Sequence, residues 1–543
     1  MAKGMSVYNH VGRLNPRRSV FSNSMWKLFD CDMGQIIPVY WRELVPGDVF
    51  NLSMEAVVRF QPLVAPVLHE IYIRSFYFFV PTRLLMNRDT VEDLGDTGIW
   101  EDFITGGDDG NDDTVLPLWS VPVGGYQKYS LWDYLGHPVG VVPTADSMPI
   151  TFDKRCYNLV YNEYFRDQNL IDEVSLDSDE IRYISWSKDR FTSALYDTQR
   201  GDRPAIPLQG LTSVQFNGST PSSVGGEFAL FGMSRAGSDI SSSNMLGSPG
   251  AVGYQTMVGG NPPQLSSSSN VLDLNASGRF KAWLNNNSLN MSQAVTFDTV
   301  DMRRLFQLQK YLERNMRAGA RYAEQIPARF GVRPQDYRLQ RPEFIGGSKS
   351  PVIVSEVLQT SESSNASKQG NLAGHGISAE STRIGTYRAF EHGYILGLCV
   401  IQPRAIYNQG IHRQSQRRTR YDFITPELVN LSEVGIKNSE LVVTGTSRDD
   451  EIFGFNGIYD EYRTAESIVV GDMRDTLDYW HLAREDYNSA NPPSLNQNFI
   501  ECRPSKRIFA VQNVPGIIVS FGTRARATRP LPIIAEPGLI DHH

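Results

Sequence analysis

Cysteine is scarce and scattered in this chain. Cys31, Cys156, Cys399 and Cys502 are the only four in 543 residues, and they form no CxxC pair. That spacing suggests neither a disulfide framework nor a zinc knuckle, and it predicts buried free thiols in a reducing cytoplasm. Long apolar runs are missing as well. The most apolar stretch, YILGLCVI (394–401), is far too short to cross a bilayer, and MAKGMSVYNHVGRLNPRRSVF at the N-terminus lacks the apolar core of a signal peptide. No membrane insertion is expected. Catalytic signatures are absent too: there is no P-loop, no HExxH and no G-x-S-x-G elbow. The nine histidines do not gather at ligand spacing, apart from His542 and His543 at the tail.

Two weaker matches fail on inspection. In GGDDGNDD (106–113), taking Asp109 as the first position of a calcium loop puts Thr114 where glycine is needed. It also puts Ser120 where a bidentate glutamate should close the loop, so the stretch reads as an acidic surface loop. Gly374 to Ala379, GHGISA, fits a loosened dinucleotide pattern but follows the polar run SESSNASKQGNLAG, so the context for pyrophosphate binding is missing. Paired carboxylates for glycosidic cleavage need only meet in space, and nothing singles out a pair. Neither an enzyme, a cofactor nor a metal is expected.

What is present is the composition of a core-forming protein. Hydrophobic residues make up 41% and charged residues 21%; 24 Tyr and 26 Phe, with 45 Gly and 30 Pro, lean towards β structure. VFNLSMEAVVRF (49–60) alternates cleanly, with Phe50, Leu52, Met54, Ala56, Val58 and Phe60 on one face. HEIYIRSFYFFVP (69–81) becomes apolar on both faces, as in a strand inside a sandwich that another subunit also overlies. Further strand-like runs are PVIVSEVLQT (351–360), YILGLCVIQPRAIY (394–407) and VPGIIVSFGTRARATRP (514–530). Strands this far apart indicate a Greek-key or jelly-roll sandwich with insertions in its loops.

The largest insertion spans 203–293, where Gly, Ser and Asn dominate. It reads as an exposed projection between a first part, 1–202, and a remainder, 294–543. Helices are few. The best spans 299–326, started by Asp298 or Thr299, striped by Leu305, Leu308 and Leu312, braced by Glu313 four residues before Arg317, weakened at Ala318-Gly319 and stopped by Pro327. A second, 153–170, spaces Tyr157, Tyr161, Tyr164 and Phe165 helically, a stripe expected in core or interface.

Charge is segregated within a formal total of −8. Asp89 to Asp113 holds ten acidic residues, whereas Arg404 to Arg420 has five arginines and no acid. Cys502 to Pro530 is also acid-free and carries Arg503, Lys506, Arg507, Arg524, Arg526 and Arg529; Arg13, Arg17 and Arg18 form a basic N-terminal arm. Such a chain can present one face to polyanions and another to solvent.

The stretch MGQIIPVYWRELVPGDVFNLSMEAVVRFQPLVAPVLHEIYIRSFYFFVPTRLL (33–85) resembles the major capsid protein of microviruses, particularly the gokushovirus branch. So do WEDFITGG (100–107), YLERNMRAGARYAEQIPARFGVRPQDYRLQRPEFIGG (311–347) and ATRPLPIIAEPGLIDHH (527–543). The resemblance implies a mainly β protein, an eight-stranded antiparallel jelly roll with long loop insertions and a few helices. It implies a virion protein of a bacteriophage, sixty copies of which form a T = 1 shell around circular single-stranded DNA, assembled in the host bacterial cytoplasm. Implied partners are the chain itself, the genome, small basic DNA-packaging and scaffolding proteins, and a host surface receptor met by the 203–293 projection.

Within that frame, expected DNA contacts are Arg13, Arg17, Arg18, Arg404, Arg413, Arg417, Arg418, Arg420, Arg503, Lys506, Arg507, Arg524 and Arg526, with Tyr407 and Phe509 as stacking platforms. Expected subunit contacts are Arg314, Arg317, Arg321, Tyr322, Arg338 and Arg341. The competing reading is a β-sandwich carbohydrate-binding or adhesion protein with the insertion as its reading head; a β-sandwich hydrolase comes third.

Overall fold

The computed structural model describes residues 16–86, 100–106, 115–204, 299–358, 372–485 and 487–534, plus the strand pair at 266–267 and 270–271. In chain order the strands are β1 (Ser19–Ser22), β2 (Met25–Cys31), β3 (Ile37–Leu44), β4 (Val49–Phe60), β5 (Ile71–Pro81), β6 (Ser266–Ser267) and β7 (Asn270–Val271). They continue as β8 (Glu343–Pro351), β9 (Ile353–Leu358), β10 (Leu372–Arg388), β11 (Gly393–Pro403), β12 (Glu433–Lys437), β13 (Ile452–Gly457) and β14 (Ile517–Arg529). The chain divides into two compact units, Met1–Gly201 with Leu312–His543, and Asp202–Tyr311.

The larger unit is built on two antiparallel sheets. One runs β1-β14-β4-β10-β9, with β2 also pairing along β14; the other runs β3-β11-β5-β8. Successive strands β2 to β5 alternate between the sheets, and so do β8, β10, β11 and β14. The protein is mainly β, and this alternation is consistent with the eight-stranded jelly roll that the sequence leads one to expect.

Period-2 side-chain geometry explains the core. Phe50, Leu52, Met54, Ala56, Val58 and Phe60 of β4 are all buried, and they meet Ile73 and Tyr77 of β5, Ile395 and Cys399 of β11, and Val519 and Phe521 of β14 in one cluster. Each large apolar side chain removed from water contributes about 1.5–3 kcal/mol. One polar contact crosses this interior: the hydroxyls of Tyr77 and Thr523 are 2.7 Å apart.

β11 is buried along its whole length and β5 on both faces near its end. The second cover comes from within the chain, not from another subunit. The helix Phe152–Val160 and its continuation Tyr161–Phe165 lay Phe152, Cys156, Tyr157, Val160 and Tyr161 against Phe78, Val80, Leu396, Leu398 and Val400. The aromatic stripe read from the sequence is therefore core. All four cysteines are buried free thiols, and burial pushes each of them up in pKa.

The long helix differs from its expected form. It runs Thr299–Ala318, breaks, and resumes as Tyr322–Phe330 with Pro327 inside the second segment. Gly319, at φ +94°, makes the break, so the Ala318-Gly319 step ends the helix where Pro327 was expected to. Of its leucine stripe, Leu305 and Leu312 are half-buried and Leu308 is 47% exposed, while Met316 is the helix's buried residue. Gly374 to Ala379 lies inside β10, which rules out a phosphate-binding turn there. The acidic run 107–113 and the cap residue Asp298 lie outside the described residues.

Candidate assembly and nucleic-acid surfaces

The six-stranded sheet has two unlike faces. Alternate residues that point away from the core are Trp26 and Leu28 on β2; Asn51, Ser53, Glu55, Val57 and Arg59 on β4; Ile377, Arg383, Thr386 and Arg388 on β10; and Ile518, Arg524 and Arg526 on β14. Trp26 and Leu28 are 58% and 79% exposed, values unusual for large apolar side chains on a finished surface. Five arginines share this face with the carboxylates of Glu55 and Asp30, and Glu55 is bound to Arg524 at 2.7 Å.

The segment Arg404 to Arg420 is not a free basic strip. Arg413 donates to Glu440 (3.3 Å) and to the Gly435 carbonyl (3.0 Å), and Arg417 donates to Glu461 (3.2 Å) while stacking on Tyr462. Glu440 is also bound by the buried Arg190, which reaches Glu466 at 2.9 Å. Burial pulls the Arg190 guanidinium down in pKa, but Glu440 and Glu466 more than offset it, so its pKa sits above the ordinary value. Arg404 pairs with Glu70 at 3.1 Å. Arg418 and Arg420 are exposed, the latter lying over Tyr421. Tyr407 is buried, its hydroxyl donating to Asp189 at 2.8 Å, and Phe509 packs edge-on against Phe60 in the core. Neither ring is available to stack on a base, which corrects that expectation.

The C-terminal basic block is divided in the same way. Arg503 binds Glu501 (2.6 Å), Lys506 binds Asp32 (2.8 Å), and Arg507 binds Glu485 (2.9 Å) and the carbonyls of Asp478 and Ala483. Burial raises the Glu485 carboxyl in pKa, while Arg507 and His481 act to lower it. Arg524 and Arg526 remain on the open sheet face. Arg17 and Arg18 are exposed, with Arg18 donating to the Gly47 carbonyl, and Arg13 lies outside the described residues.

Of the expected subunit contacts, three are held inside the chain. Arg317 donates to Glu433 and Ser432, and its bond to Glu433 raises its pKa. Arg321 donates to the carbonyls of Asn162 and Arg166, and Arg341 lies 4.2 Å from the Tyr164 ring beside Glu163 and Asp336. Arg314, Tyr322 and Arg338 are exposed. Sequence reasoning missed Arg59, Arg383, Arg388 and Trp26; the alternation of β4 was the one signal for Arg59, while the others needed the strand register.

Among the described residues no group of three or more His, Cys, Asp or Glu side chains is placed to hold a metal, and no helix is long and apolar enough to cross a membrane. What the larger unit offers is a closed two-sheet core with one open, mixed apolar and basic face. Comparison with known proteins agrees with a structural role. A family model described as capsid protein (F protein) matches residues 10–539. The chain belongs to this capsid protein family. It is similar to capsid protein VP1 of Chlamydia phage 1, at 31% identity over 99% of this chain and all of that protein. It is also similar to capsid protein VP1 of Bdellovibrio phage phiMH2K, at 30% identity over 98% of this chain and 97% of that one. Capsid protein VP1 of Spiroplasma virus 4 is 28% identical over 94% and 93% of the two chains. The capsid protein is thus a structural virion component that self-assembles into a shell, and its relatives are gokushovirus-type microvirus capsid proteins rather than enzymes.

Proposed function

We propose that sixty copies of this capsid protein form a T = 1 icosahedral shell around circular single-stranded DNA, assembled in the host bacterial cytoplasm. Small basic packaging and scaffolding proteins assist, and the 203–293 insertion projects outward towards a host receptor. The observation that carries this reading is the open face of the six-stranded sheet. Trp26, Leu28, Val57, Ile353, Ile377 and Ile518 are all exposed there in the isolated chain, beside five arginines. A sheet face of that composition is completed by other molecules: apolar contacts supply the desolvated centre of an interface, and arginines neutralise phosphates with release of counterions. Equivalent copies in a closed point group need no further element to terminate growth.

Negative-stain imaging of the purified protein, with a nuclease-protection assay on the particles, tests this. Uniform particles whose averages show sixty-fold icosahedral symmetry, enclosing nucleic acid sensitive to single-strand nuclease once opened, are expected. Monomers or small oligomers without nucleic acid would overturn the sixty-copy shell and its enclosed genome.

A further inference from the structure

A depression of about 540 Å³ lies on the open sheet face between β1, β14, β4 and β10. It is lined by Arg383, Arg524 and Arg526 together with Ser22, Asn51 and Ser53, and by the apolar Val20, Phe21, Leu52 and Ala525. Strand register sets these side by side. Ser53 of β4 stands opposite both Arg524 and Arg383, and Asn51 stands opposite both Arg526 and Thr386. Neighbouring strands lie about 4.8 Å apart and alternate residues about 7 Å apart along a strand, so the three guanidinium groups converge on one patch from two sides.

The Thr386 hydroxyl donates to Asn51 Oδ1 at 2.5 Å and accepts from Arg383 at 3.4 Å. The nearest carboxylate, Glu55, binds one edge of Arg524 at 2.7 Å and leaves a net charge of about +2 on the patch. Two residues along β14 from Arg524, Gly522 stands opposite Trp26 of β2; a Cβ there would come within 2.7 Å of the indole, so glycine is what admits the ring. A larger depression of about 760 Å³ is also lined by cations, but Arg74, Lys188, Arg317 and Arg321 there already bind Gln402, Asp167, Glu433 and backbone carbonyls.

We propose that Arg383, Arg524 and Arg526, over Asn51, Ser53 and Ser22, form a phosphodiester-binding cradle with Trp26 beside it as a base-stacking platform. The open face of the six-stranded sheet then turns towards the packaged strand. Arginine forks recognise phosphate oxygens in pairs, and an indole stacks on a base without regard to its identity, so together they hold a single strand without reading its sequence. This deepens the capsid reading and rests on it.

The test titrates fluorescein-labelled oligo(dT) of 20 nucleotides with purified full-length subunits across a salt series. For R383Q/R524Q/R526Q the slope of log affinity against log salt should shrink by roughly 2, since each single-strand phosphate contact contributes about 0.7. Affinity at 0.1 M salt should then fall about a hundredfold. The corresponding triple lysine variant should recover most of the slope, and W26A should lose roughly tenfold with the slope unchanged. An unaltered slope in the glutamine variant, with normal DNA content in its particles, overturns the cradle. So does a glutamine variant that binds oligo(dT) normally yet forms no particles, because the patch is then a contact between subunits. Wild-type protein that neither binds oligo(dT) nor encloses nucleic acid would instead bring down the capsid–DNA reading itself.

Discussion

His69 sits between two backbone groups, with Nε2 2.7 Å from the Arg404 carbonyl and Nδ1 accepting from the Leu482 N–H at 3.4 Å. Both bonds are made by a neutral ring protonated on Nε2. Burial, aided by His481 and Arg507, lowers its pKa to about 4, against an unfolded value near 6.5. Between those values the unfolded chain binds the extra proton and the folded one does not. Stability therefore rises with pH through this window and is lost as pH falls from about 6.5 to about 4. At pH 5 the loss from this one group comes to about 2 kcal/mol relative to pH 7. Urea midpoints at the two pH values should show it, and H69Q should shrink the difference by that amount; an equal difference in H69Q would assign the acid sensitivity elsewhere. Nothing in the sequence around His69 discloses this, because its partners are 335 and 413 residues away.

At the scale of elements, patterns confined to one strand were legible. The alternation of β4 and the two-sided burial of β5 follow from composition alone, since a strand's side chains alternate whatever surrounds it. The broken helix was only half legible. Proline terminates a helix when its missing N–H and its ring disrupt an established turn, yet Pro327 sits in a segment that starts afresh at Tyr322. The Glu324 carboxylate accepts the Arg321 backbone N–H at 3.2 Å and fixes that restart. Gly319 holds the left-handed backbone between the two segments, and G319A should cost about 1–2 kcal/mol, read as a lower urea midpoint with unchanged slope. A variant as stable as wild type would show that the junction tolerates a Cβ.

The whole molecule carries the functional predictions. Removing residues 212–290 should leave particles intact and reduce adsorption of the phage to its host; undiminished adsorption would separate the insertion from attachment. The candidate site was the least legible part. Two acid-free blocks looked like polyanion surfaces, but Glu440, Glu461, Glu485 and Asp32 come from other parts of the chain to occupy Arg413, Arg417, Arg507 and Lys506, and Glu501, just before the second block, occupies Arg503. Buried ion pairs of this kind answer desolvation, which no local count of charges registers.

The sequence by itself determined the β class, the core face of β4, the buried thiols and the strings that mark the family, because each depends on neighbours in the chain. Tertiary structure decided which arginines remain available, and that the second cover of β5 and β11 comes from the chain's own helix. It also decided that Arg383, Arg524 and Arg526 share a patch. Those outcomes depend on strand register and on partners tens to hundreds of residues away, and only the folded chain sets them.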